Sequence, residues 1–133
     1  MGEEINSENI GSIAFALGLI FGGGIWTTIW ILAIDSIEID LALVFTQGIG
    51  LGILIGTITA LGLIKGWYGE KEWLVVPFGM GWGTAVGIVI GLTTAWSMEI
   101  PYIDAFSLGA SAGLITGLIV GTFLWMNIRK ENE

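Results

Sequence analysis

The run Gly79-Met-Gly-Trp-Gly-Thr-Ala-Val-Gly-Ile-Val-Ile-Gly91 places a glycine at every fourth position, 79, 83, 87 and 91, inside a segment that carries no charge. On a helix, residues four apart lie one above the other, so these glycines form a groove without side chains about 18 Å long. In water each interior glycine costs about 1 kcal/mol relative to alanine, which makes a soluble helix of this composition poor. Between helices in lipid, the same glycines let a neighbouring backbone approach closely. The stretch therefore predicts a membrane-spanning helix with a tightly packed neighbour.

The rest of the chain agrees. Four apolar runs, Ile13 to Ile34, Leu41 to Ile64, Leu74 to Trp96 and Ala105 to Met126, hold no Asp, Glu, Lys or Arg. Each is long enough for a hydrocarbon core that needs about 20 helical residues. Only 12% of the residues are charged, against roughly a quarter in a soluble domain. The fold expected is an all-α integral membrane protein, a single four-helix domain over residues 1–133. The net charge of −8 resides in ends and loops, so nucleic acid is an unpromising partner. The absence of cysteine excludes disulfides and thiolate chemistry, and the absence of histidine removes the commonest general base and metal ligand. No cofactor is expected. Met1 to Asn9 carries Glu3, Glu4 and Glu8 and no positive residue, so the first run reads as a retained helix and not a cleaved signal.

The four positive residues, Lys65, Lys71, Arg129 and Lys130, fall between the second and third runs or after the fourth. The other two loops have none, so the positive-inside rule places both termini in the cytoplasm, with the chain in a plasma or inner membrane. Trp30 and Trp96 are expected at the outer interface and Trp67, Trp73 and Trp125 at the inner one; Trp26 and Trp82 lie deeper. Asp40 and Asp104 fall where helices begin and suit caps there. Pro101 suits a helix start, and Pro77 marks the start of the third span.

An offset of 61 residues aligns Ser36, Glu38 and Ile39 with Ser97, Glu99 and Ile100. It also aligns Gly18, Gly22, Gly48, Gly52 and Gly56 with Gly79, Gly83, Gly109, Gly113 and Gly117. This pattern reads as two tandem two-helix hairpins, approximately 11–69 and 72–130, oriented in parallel and packed as a glycine zipper of the small-xxx-small kind. Gly87, Gly91 and Gly121 extend the packing rows. The third span has a second small face, Gly81, Ala85, Val89 and Thr93, where the fourth has Ser111, Ile115, Ile119 and Phe123. Two small faces predict the most enclosed helix, within the bundle or against a partner.

Ionisable groups inside spans mark proton relays and charged-substrate paths, and these spans have none. Their polar residues are uncharged: Thr27, Thr28, Thr46, Gln47, Thr93, Thr94 and Ser107. They serve either interhelical hydrogen bonding or, as the sharper expectation, a narrow polar path. Gln47 stands out because its partner in the offset is Leu108. At the outer face, Asp35, Glu38, Asp40, Glu99 and Asp104 form a weak candidate cation cluster without EF-hand spacing. Their simpler reading is solvated loop charge.

Duplicated glycine-rich hairpins resemble in outline the proteolipid rings of rotary ATPases, but those act through a mid-span carboxylate that this chain lacks. A buried arginine, as in fluoride channels, and a glutamate in the first span, as in small multidrug transporters, are also missing. The sequence thus leads to a non-enzymatic scaffold or accessory subunit of a homo- or hetero-oligomer. The alternative is a small channel or facilitator for an ion or neutral solute. The expected partners are the lipid bilayer and itself or other membrane subunits.

Overall fold

A computed structural model describes residues 7–33, 41–98 and 100–132. They form helices α1 (Ser7–Leu17), α2 (Gly23–Ala33), α3 (Leu41–Lys65), α4 (Val75–Met98) and α5 (Tyr102–Asn132). A π-helical segment, Gly18–Gly22, joins α1 to α2, so the two make one span with a widened turn in its middle. Four helical stretches, Ile10–Leu32, Ala42–Lys65, Val75–Ser97 and Tyr102–Asn127, are long and apolar enough to cross a membrane. The described residues contain no strand.

The glycines sit where backbones meet. A Cβ built on Gly79 would lie 2.6 Å from the Gly117 carbonyl oxygen, and one on Gly91 would lie 2.7 Å from that of Ala105. Gly83 faces Gly113 and Gly87 faces Gly109 still more closely. Helices α4 and α5 thus touch backbone to backbone over at least four turns. In the first hairpin, a Cβ on Gly48 would lie 2.7 Å from the Gly22 carbonyl, and one on Gly56 would lie 2.5 Å from that of Ala14. Gly18 and Gly52 oppose each other between these points. The π segment belongs to this contact. Its two end glycines are both buried and face Gly52 and Gly48 of α3.

Towards α2 the small residues on this face give out. The next turns of the first span present Trp26 and Trp30, both fully buried, with ring centroids 5.6 Å apart. Trp30, expected near the outer interface, is fully buried and in contact with Trp26. Trp96 is 76% exposed.

The first span packs on α3 and α5, α4 packs on the same two, and α3 meets α5 across the middle. The first span and α4 therefore stand at opposite corners. The most enclosed helix is α3, with half of its span buried, whereas α4 has 33%. The enclosure expected of the third span does not occur within the bundle, because the face opposite its glycine row points outward.

The connection from α3 to α4 is a built turn. Gly66 and Gly69 have positive φ, 73° and 63°, which glycine adopts without strain. Trp67 N–H donates to the Gly62 carbonyl and Gly66 N–H to that of Leu63, the paired bonds of a Schellman helix end. Trp67 and Tyr68 both meet Phe78 edge-on, at 6.3 and 5.5 Å, tying the turn to the first turns of α4. A 3₁₀ turn, Glu72–Leu74, leads into α4, where Pro77 lies in the first turn. At the other end of α4, Ile100 N–H donates to the Ala95 carbonyl, and the Pro101 carbonyl accepts from Ala105 N–H as α5 begins.

Candidate functional site

Of the seven uncharged polar residues, the structure brings two together across helices. Thr94 Oγ1 of α4, fully buried, lies 2.5 Å from Gln47 Oε1 of α3 and 2.9 Å from its own Ile90 carbonyl. One hydroxyl proton cannot serve both acceptors well. The shorter contact, within the range of an O–H···O bond, is the one in which the Thr94 hydroxyl donates to Gln47 Oε1. Gln47 thus joins the two hairpins.

A second hydrogen bond crosses the same interface. Trp82 Nε1 donates to the Leu54 carbonyl at 3.3 Å, about 10 Å along α3 from Gln47. Trp82 was expected to pack or to line a path. A tryptophan next to a row glycine, Gly83, was the available signal for this bond, but a backbone carbonyl in a helix interior offers no mark in sequence.

The other polar residues are dispersed. Thr46 and Thr93 are exposed, and each donates to the carbonyl four residues back, Ala42 and Val89. Thr28 and Ser107 are also on the outer surface. Thr27 is half-buried, with a hydroxyl that has no partner; the indole N–H groups of Trp26 and Trp30 are likewise buried without an acceptor. The seven therefore do not line one path within the chain.

The second small face of α4 is wholly outward. Gly81, Ala85, Val89 and Thr93 are all exposed, Val89 at 65%, and a Cβ on Gly81 would meet nothing within 4 Å. Gly83, one turn from Gly79 on the other side, is buried against α5. One helix therefore carries a small face that is used and a small face that is not.

Of the acidic residues considered for a cation, Asp35, Glu38, Asp40 and Glu99 lie outside the described residues. Asp104 is exposed in the first turn of α5. Among the described residues no group of three or more metal-ligating side chains occurs. At the opposite end of the bundle, the Tyr68 hydroxyl packs over Gly62 and reaches the Thr59 carbonyl at 3.5 Å. Burial there pushes its pKa up to about 12. Comparison with protein-family models, with curated proteins and with solved structures finds no match to this chain.

Proposed function

We propose that the chain is a non-enzymatic membrane scaffold or small subunit, built from two tandem glycine-zipper hairpins, that joins a homo- or hetero-oligomer through the outer face of α4. The observation that carries this reading is the exposure of Gly81, Ala85, Val89 and Thr93 together on a helix whose other small face is packed. In lipid, close approach along small residues is a main source of helix association, so an unused small face is suited to a second helix. The two hydrogen bonds between α3 and α4 support it further, since they fix the hairpins to each other and hold that face in one orientation. In this reading both termini are cytoplasmic, following the distribution of Lys65, Lys71, Arg129 and Lys130.

Crosslinking in native membranes tests the proposal, with Gly81→Leu and Ala85→Leu as the perturbation. Crosslinked oligomers that these substitutions abolish are expected. A strictly monomeric protein, or oligomers indifferent to both changes, would refute it. Solute flux into liposomes above that of empty vesicles, removed by Gln47→Leu, would replace the scaffold reading with a channel or facilitator.

A further inference from the structure

Two kinds of contact hold the first span, and they change at Gly22. Up to that residue, Ala14, Gly18 and Gly22 meet Gly56, Gly52 and Gly48 of α3 backbone to backbone. Beyond it, α2 presents Trp26 and Trp30, whose side chains are fully buried and whose indole N–H groups have no acceptor. The Thr27 hydroxyl is buried without a partner too, so three of the four such atoms found among the described residues lie within five positions of α2. On another side of α2, a groove of about 460 Å³ is lined by Gly24, Ile25, Thr28 and Ile29 together with Ile115 of α5. A Cβ on Gly24 would meet nothing within 4 Å. The joint between the two halves is weak by composition, because the π segment ends there and Gly22, Gly23 and Gly24 follow one another. Glycines and π turns are usual sites of helix bending, and each glycine supports a helix about fivefold less well than alanine, the factor that about 1 kcal/mol produces.

We propose that α2 is a hinged arm, which turns about Gly22–Gly24 away from α3 and towards α5 while α1 stays zipped to α3. The glycine contact fixes α1 and the π segment, so the pivot lies just after them. The groove supplies room on the α5 side, whereas α3 blocks movement on the other. Buried donors without acceptors penalise the packed arrangement, so parting from α3, which gives the indoles access to acceptors, is favoured by the same groups that α2 now buries. Trp30 stands three residues from the end of α2 at Ala33, and an opening there wets it first. Segments held by few close contacts are the ones that open locally. The second hairpin has no such arm, because the places matching Trp26 and Trp30 are Gly87 and Gly91, closed against α5. The arm also stands apart from the partner face on α4.

The full chain has no cysteine, so spin labels can be placed in pairs and their separations read by pulsed dipolar resonance in lipid nanodiscs. Leu32→Cys, at the exposed end of α2, is paired with Ala42→Cys on α3 and with Ser111→Cys on α5, one turn from Ile115. Phe15→Cys with Leu54→Cys reports on the zipped half. Each α2 pair should give two separations, the minor one in about a tenth of the molecules, longer for the α3 pair and shorter for the α5 pair. The zipped pair should give one. Gly24→Ala adds a methyl group to open space and should lower the minor population about fivefold. Trp26→Phe with Trp30→Phe removes both orphaned N–H groups and should lower it at least as far. If the rings only filled space, the smaller phenylalanines would loosen α2 and raise it. A single separation in the α2 pairs, a minor population that the phenylalanines leave or raise, or lengthening in both α2 pairs would overturn the proposal.

Discussion

Replacing Gly79 by alanine asks whether the glycine row holds the second hairpin together. The added methyl carbon would sit 2.6 Å from the Gly117 carbonyl oxygen, whereas ordinary contact begins near 3.4 Å, so α4 and α5 must part locally by 3.4 − 2.6 = 0.8 Å. The obstacle is backbone and has no rotamer to change. Overpacking of this kind costs about 1–3 kcal/mol. The gain in helix propensity from glycine to alanine returns about 1 kcal/mol, leaving a net loss of up to about 2 kcal/mol. At the far end of the row, Gly91→Ala is obstructed by the Ala105 carbonyl at 2.7 Å. The two sites are about 18 Å apart along the helix, so their effects should add to a loss of up to about 4 kcal/mol in the double variant. Gly81→Ala is the control, on the same helix but with open space around its Cβ. It should leave stability unchanged or raise it slightly. Equilibrium unfolding in mixed micelles with increasing dodecyl sulfate, followed by circular dichroism, reads these differences. If Gly79→Ala proves as stable as Gly81→Ala, the backbone contact does not carry the energy assigned to it.

Two further outcomes follow from the polar contacts. A double-mutant cycle of Gln47→Leu and Thr94→Val should give a coupling of about 0.6 kcal/mol, and at most about 1.7, the span of measured hydrogen bonds between membrane helices. Zero coupling would mean that Gln47 does not join the hairpins. For Tyr68, the folded state keeps its proton to about pH 12, while the unfolded chain loses it near pH 10. Between those values the unfolded state binds fewer protons, so stability should fall as pH rises through the window and be unaffected by this group below it. Tyr68→Phe should flatten that fall; an unchanged slope in the phenylalanine variant would show that the hydroxyl is not desolvated.

The four spans were legible because length, apolarity and the exclusion of charge all report on one solvent, the bilayer. The glycine positions were legible for a related reason: spacing of four fixes a helix face before any neighbour is known. Which neighbour lies on which face was not legible. The third span carries two small faces of similar composition, and sequence ranked it as the most enclosed helix. The structure gives that place to α3 and turns Gly81, Ala85, Val89 and Thr93 outward. Enclosure depends on how two hairpins dock, and that is set by single contacts such as Trp82 to the Leu54 carbonyl, which involve one side chain and an anonymous backbone atom. The polar residues show the same limit. Their depths could be read from residue counts, but their azimuth around the bundle could not, and azimuth separates Thr94 from Thr93.

The offset of 61 residues that matches Gly18 and Gly22 with Gly79 and Gly83 also sets Trp26 and Trp30 against Gly87 and Gly91. At those two positions α4 meets α5 backbone to backbone, whereas the first span has two buried indoles tilted against each other, with Trp26 beside Gly48. Two large rings cannot occupy the space of two hydrogen atoms, so the first hairpin cannot close as the second does beyond Gly22. Both indole N–H groups are buried without an acceptor, a cost of about 1–3 kcal/mol each that simple packing gives no reason to retain. What the rings supply is inequivalence between the hairpins. The π segment, Gly18–Gly22, ends just before them. Gly24, in the same stretch, lines a groove of about 460 Å³ with Ile115 of α5, while the small face of α4 lies at the opposite corner. A symmetric pair of glycine hairpins would present the same surface twice. Trp26 and Trp30 at two of these positions make the two helix pairs unlike on this side.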